Sequence, residues 1–181
     1  IRLINNVIIK EEKFNIPVIC IGNIYIGGTG KTPLSIEIAN FLKSHGKNPV
    51  IIKKFYKAHS DEHNMIKNKG INLIASQTRK KGIDEAISNN FDVIILDDGF
   101  QDSSIFKNLN IICFNEKQLF GNEMTLPSGP LREPLSSLKK CKIVLINGNK
   151  NENLESKINN ISKDIVIYYS KYSLINNESL K

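Results

Sequence analysis

A six-residue run, Gly27-Gly28-Thr29-Gly30-Lys31-Thr32, follows the apolar stretch 16–21 and precedes a segment in which Leu34, Ile38, Phe41 and Leu42 recur at helical spacing. The three glycines remove the Cβ atoms that would hold a ligand away from the backbone. Successive N–H groups can then converge on an anion with a helix N-terminus behind them. Pro33 suits the first turn of that helix, where a missing N–H is no loss, and Gly46 after His45 is a natural stop. No other feature of the chain restricts its fold so much as this strand, loop and helix.

Within the run, Lys31 is placed to neutralise β- and γ-phosphates and Thr32 to offer its hydroxyl to Mg²⁺, the roles of these residue types in phosphate-binding loops. The full signature has a further glycine five residues before Gly30, at a position filled here by Tyr25. Taken alone, the glycines also fit a flexible turn with Lys31 solvated. The preceding strand, Pro33 and a downstream acidic pair favour the phosphate reading.

Short apolar runs at 49–52, 71–75, 93–96, 111–114, 143–146 and 165–169 read as further strands, and 81–90 as a helix. Residues 53–70 read as a polar, basic, turn-rich connection, and 121–134, rich in Gly and Pro, as a long ordered loop. Strands alternating with helical segments predict an α/β fold of the P-loop NTPase kind, a mostly parallel sheet with flanking helices. Ligands of such sheets bind beyond the carboxyl ends of the strands. The glycine loop and the pair Asp97-Asp98 both fall there.

Asp97-Asp98 closes a run apolar on both faces, the setting in which a carboxylate holds Mg²⁺ directly or through water, although adjacent aspartates also form turns. Asp61-Glu62 follows the second strand at the same edge and can supply a base for a sugar hydroxyl, or be a solvated pair. His45 fits a helix end rather than a catalyst, and no Cys/His spacing suggests zinc. Cys20, Cys113 and Cys141 sit in or beside apolar runs and read as buried free thiols of a reducing, cytoplasmic compartment. The net charge of +7 suits an anionic partner, though a solvated basic surface explains it as well. A nucleic-acid module is disfavoured, because no recognition helix is evident and only 7% of residues are aromatic. The run Asn149-Lys150-Asn151-Glu152 narrowly misses the guanine-reading Asn-Lys-x-Asp of switch GTPases, which makes a switch or metallochaperone NTPase the alternative.

Four segments together resemble the tetraacyldisaccharide 4'-kinase family. They are Gly22-Asn23 with the loop from Gly27 to Pro33, then Ser60-Asp61-Glu62, then Asp97-Asp98-Gly99-Phe100-Gln101, and Leu126-Pro127-Ser128-Gly129-Pro130-Leu131-Arg132-Glu133-Pro134. They cover roughly residues 16–148, and Tyr25 becomes a point of similarity because the family also lacks the leading glycine. The resemblance implies ATP- and Mg²⁺-dependent transfer of the γ-phosphate to the 4'-hydroxyl of a lipid A disaccharide precursor, at the cytoplasmic face of the inner membrane. It implies catalytic roles for Asp61, Lys31 and Asp98, nucleotide binding by Gly27, Gly28, Thr29, Gly30, Lys31, Thr32, Gln101, Arg132 and Glu133, and metal binding by Thr32, Asp97 and Asp98.

Some positions depart from the family pattern. Lys53-Lys54-Phe55-Tyr56-Lys57 stands in place of Ser-Arg-Gly-Tyr-Gly, His63 in place of a proline, and Asp102 in place of a histidine. The 181 residues are expected to form one nucleotide-binding domain without the family's N-terminal membrane helix and C-terminal lobe. An inactive shortened homologue is the further alternative that this length raises.

Overall fold

A computed structural model describes residues 10–55 and 60–171, excluding the side chains of residues 60–62. Seven parallel strands form one sheet in the order β3-β2-β4-β1-β5-β6-β7. They are β1 (Val18–Gly22), β2 (Pro49–Lys54), β3 (Asn72–Ser76), β4 (Val93–Asp97), β5 (Leu109–Asn115), β6 (Ile143–Asn147) and β7 (Val166–Ser170). The helices are α1 (Lys31–Ser44), α2 (Ser60–Asn68), α3 (Arg79–Ser88) and α4 (Glu152–Ile161). All six predicted strand runs after the first are present.

The central strands are apolar at every position because both faces of the sheet are covered. In β2, Val50 and Ile52 join one cluster with Ile94, Leu96, Ile112 and Phe114, onto which Ile83 and Ala86 of α3 and Leu154 and Ile158 of α4 pack. Ile51 points the other way, into a cluster with Ile21, Ile95, Ile36 and Ala39 of α1, and Ile66 of α2. This alternation is the period-two geometry of a strand with a helix layer on each side. The sheet runs on past residue 148 through β7, and Ile165 is part of the same core.

Helix α2 replaces much of the expected turn-rich connection. Asp61, His63, Asn64 and Asn68 give that stretch little helical preference, but Ile66 is wholly buried against the α1 side of the sheet, and that packing holds the helix. Helix α4 was hidden in the Asn-rich run. Asn151 caps it by accepting from the Leu154 N–H at 3.0 Å, and Lys150 lies 3.7 Å from Glu152. The near-match to a guanine-reading motif is thus the start of a helix.

At the end of α1 the expectations hold. Gly46 takes φ +74°, the Lys47 N–H closes onto the Leu42 carbonyl at 3.0 Å, and His45 Nδ1 lies 2.8 Å from the Phe41 carbonyl oxygen. The 121–134 loop has no regular helix or strand. It lies beside the segment that leads into the glycine run: the Ile26 N–H reaches Pro130 O at 3.0 Å, the Arg132 N–H reaches Ile24 O at 2.7 Å, and Tyr25 bridges Leu131. Tyr25 is therefore a docking position for this loop.

Candidate active site

Strand β1 lies between β4 and β5, and the chain leaves it for α1 on one side and returns through β5 on the other. This reversal opens a crevice at the carboxyl ends of the strands. A cavity of about 490 Å³ occupies it, lined by the whole run from Gly27 to Pro33, and by Lys53, Asp97, Asp98, Arg79 and Arg132 among others.

The loop is held open from behind. Gly30 begins α1 with φ +85°, a left-handed conformation that favours glycine, and no side chain caps the helix N-terminus. Asn23 donates to Gly27 O and to Thr29 Oγ1, each at 3.2 Å, and Asn147 at the end of β6 donates to Thr29 O. A Cβ on Gly28 would meet nothing within 4 Å, so the space before it is free for a ligand. Uncapped N–H groups facing a cavity with a lysine beside them form an anion site.

Parallel pairing of β1 with β4 sets Ile21 level with Asp97 and brings the acidic pair under the loop. The Thr32 hydroxyl donates to Asp97 Oδ2 at 2.8 Å. Asp98, at φ +60°, turns away from that contact. Its carboxylate lies 3.6 Å from Lys31 Nζ and accepts from Arg132 Nη1, 3.1 Å from each oxygen. Burial pushes the Asp98 carboxyl up, but the charges of Lys31 and Arg132 prevail and hold its pKa below the ordinary carboxylate value. Asp98 is thus an ionised brace between two cations.

Of the expected site residues, the structure brings together the glycines, Thr29, Lys31, Thr32, Asp97, Asp98 and Arg132. Gln101 does not line the cavity; its amide donates to Asn23 O at 2.8 Å and ties the end of β4 to the start of the loop. Glu133 is half-buried beside Arg132 and also outside the lining. Asp61 falls in the first turn of α2, and its side chain lies outside the described residues.

Two cations entered the site unannounced by the motifs. Arg79 starts α3, donates to Asp98 O, and lies 3.4 Å from Asp102. A signal for it existed, because a cation at a helix N-terminus opposes the helix dipole and calls for another partner. Lys53, 6% exposed, donates to Asp97 Oδ2 at 2.6 Å and to Thr32 Oγ1 at 3.1 Å. Its signal was a lysine directly after four apolar strand residues, but only the strand register shows what faces it.

Lys53 bears on the metal expected at Thr32 and Asp97. A divalent ion on those oxygens, about 2.1 Å from Asp97 Oδ2, would stand within about 5 Å of an ammonium that is 2.6 Å from the same oxygen. Lys53 thus shares the Asp97 oxygen expected to serve the metal, and a divalent ion placed there would need the negative charge of a bound phosphate beside it. Among the described residues no group of three or more His, Cys, Asp or Glu side chains could hold a metal.

A family model for tetraacyldisaccharide-1-P 4'-kinase matches residues 1–179. The tetraacyldisaccharide 4'-kinase of Pelagibacter ubique is 44% identical over 92% of this chain and 54% of its own length, and that of Ruthia magnifica is 36% identical over 76% and 50%. The chain spans about half the length of the curated relatives it matches. Among solved structures, LpxK from Aquifex aeolicus in complex with ATP superposes with a TM-score of 0.67 at 30% identity, covering 76% of this chain and 50% of that one. The hydrogenase maturation factor HypB from Archaeoglobus fulgidus, at 14% identity and a TM-score of 0.59 over 86% of this chain and 81% of its own, shares the fold.

Proposed function

The chain belongs to the tetraacyldisaccharide 4'-kinase family, and we propose that it carries the nucleotide-binding half of such an enzyme, binding ATP and passing its γ-phosphoryl group to the 4'-hydroxyl of a tetraacyldisaccharide 1-phosphate. The observation that carries this reading is one cavity lined by an open glycine loop, Lys31, Arg79 and Arg132 together with Asp97 and Asp98. Phosphoryl transfer asks little covalent chemistry of a protein and much positioning and charge stabilisation, which these groups supply. Residues 1–181 act here as one nucleotide-binding unit.

In the proposed complex, the N–H groups of Gly28 to Thr32 and the Lys31 ammonium hold the β- and γ-phosphates. Arg132 and Arg79 face the charge that spreads over the transferred group. Asp98 fixes the orientation of Lys31 and Arg132, and Gln101 and Glu133 support the loops that carry them. Asp61 is the proposed base for the acceptor hydroxyl, because α2 starts beyond the carboxyl end of β2, at the edge where the cavity opens.

An acylated sugar phosphate is anionic and lies in a membrane, so the enzyme would work at the cytoplasmic face of the inner membrane. The net charge of +7 assists that approach. No helix among the described residues is long and apolar enough to cross a bilayer. The test is ATP-dependent phosphorylation of a tetraacyldisaccharide 1-phosphate by this chain beside its Lys31→Ala variant. A rate lost in the variant is expected; equal rates would overturn the assignment.

A further inference from the structure

Thr29 is buried in the glycine loop, and both of its oxygens are taken from behind by asparagines. Asn23, just past β1, donates to Thr29 Oγ1 at 3.2 Å, and Asn147, the last residue of β6, donates through Nδ2 to Thr29 O. The Ser170 hydroxyl, at the end of β7, donates in turn to Asn147 Oδ1. Parallel pairing sets Asn147 level with Ser170, so this contact follows from strand register. Neither residue lines the phosphate cavity; both line a second cavity of about 410 Å³ at the ends of β5, β6 and β7.

We propose that Asn147, steadied by Ser170, is a positioning residue for the phosphate loop and acts by fixing the Thr29–Gly30 peptide. The inference rests on the nucleotide-binding reading above. In a planar trans peptide the C=O and the N–H point in opposite directions. Holding Thr29 O towards β6 therefore turns the Gly30 N–H to the other side, towards the phosphate cavity that Gly30 lines. The backbone alone does not choose this orientation. Gly30 stands at φ +85°, and a glycine accepts φ of either sign, so a flip of the peptide before it costs little. The Asn147 amide must also present the correct end, because Thr29 O can only accept. By donating to Oδ1, Ser170 keeps Nδ2 on that carbonyl.

Calorimetric titration with ATP and with inorganic tripolyphosphate, which has the phosphate chain without the nucleoside, tests this. Asn147→Leu keeps the size of the side chain and removes its donor, so both ligands should bind about tenfold or more weakly than to wild type. Ser170→Ala should weaken both by about threefold, and Ser170→Thr, which keeps the hydroxyl, should restore them. Unchanged affinities in Asn147→Leu overturn the inference, since a merely structural contact would lower the urea midpoint and spare both ligands. A loss for ATP alone also overturns it, because Asn147 would then touch the nucleoside rather than order the loop. Wild type that binds ATP but not tripolyphosphate overturns it while leaving nucleotide binding intact. Absence of both overturns the nucleotide reading itself, and the inference with it. Urea unfolding shows which variants are folded, and the Ser170 pair decides the matter if Asn147→Leu is not.

Discussion

Arg132 holds one guanidinium nitrogen 3.1 Å from each carboxylate oxygen of Asp98, and through this contact the long 121–134 loop is fastened to the end of β4 beside the glycine run. Both side chains keep about a third of their surface exposed, so the pair adds little to stability. Its value lies in aiming a cation into the cavity.

Arg132→Ala is accordingly expected to leave the melting temperature within a degree or two of wild type. A charge-assisted hydrogen bond to phosphate is worth about 1.5–3 kcal/mol, so ATP affinity should fall roughly ten- to a hundredfold. Arg132→Lys should recover only part of this, because a lysine cannot present the planar fork of donors. Calorimetric titration with ATP checks both variants; an unchanged affinity for Arg132→Ala would remove Arg132 from the site.

Gly28 separates folding from ligand approach. With nothing within 4 Å of an added Cβ, Gly28→Ala should unfold like wild type. The same methyl group would stand where phosphate approaches the backbone, and ATP affinity should drop by about tenfold or more. At Gly22 the opposite holds, since an added Cβ would come within 2.5 Å of Phe100 Cβ, and Gly22→Ala should cost about 1–3 kcal/mol in urea unfolding.

The buried Lys53–Asp97 pair makes a third expectation. Removing either partner takes away a 2.6 Å charge-assisted contact between two buried groups, so Lys53→Met and Asp97→Ala should each cost about 3–5 kcal/mol. The double variant should cost clearly less than the two together. Urea unfolding of all four proteins measures the coupling; costs that add within about 0.5 kcal/mol would mean the two side chains do not interact.

All three cysteines are buried free thiols, and burial raises the pKa of each from 9.0 to about 12. The native chain should therefore resist a thiolate-directed reagent at pH 8, and the unfolded chain should react at all three positions. Because the folded pKa values are raised, the stability that the neutral thiols contribute is complete below pH 9 and declines as pH rises from 9 towards 12. Reagent titration with and without denaturant, and urea unfolding between pH 8 and 11, check the two statements.

The local sequence determined much of this protein. Glycines between a strand and a Pro-started helix specify an anion-binding turn, and runs such as Val93 to Leu96, apolar on both faces, specify central parallel strands, because these patterns follow from backbone sterics and burial within a few residues. The segments at 22–33, 97–101 and 126–134 also supply most of the residues that line the cavity. Helices α2 and α4 were not legible, since a single buried Ile66 and an Asn151 cap act only when the sheet is there to receive them. The tertiary structure alone decided which charges meet. Pairing of β2 with β4 sets Lys53 against Asp97, docking of the loop on Tyr25 brings Arg132 to Asp98, and the start of α3 sends Arg79 to the same place. Each partner lies 19 to 44 residues away along the chain, a separation at which no local pattern fixes a neighbour and only strand register and packing can.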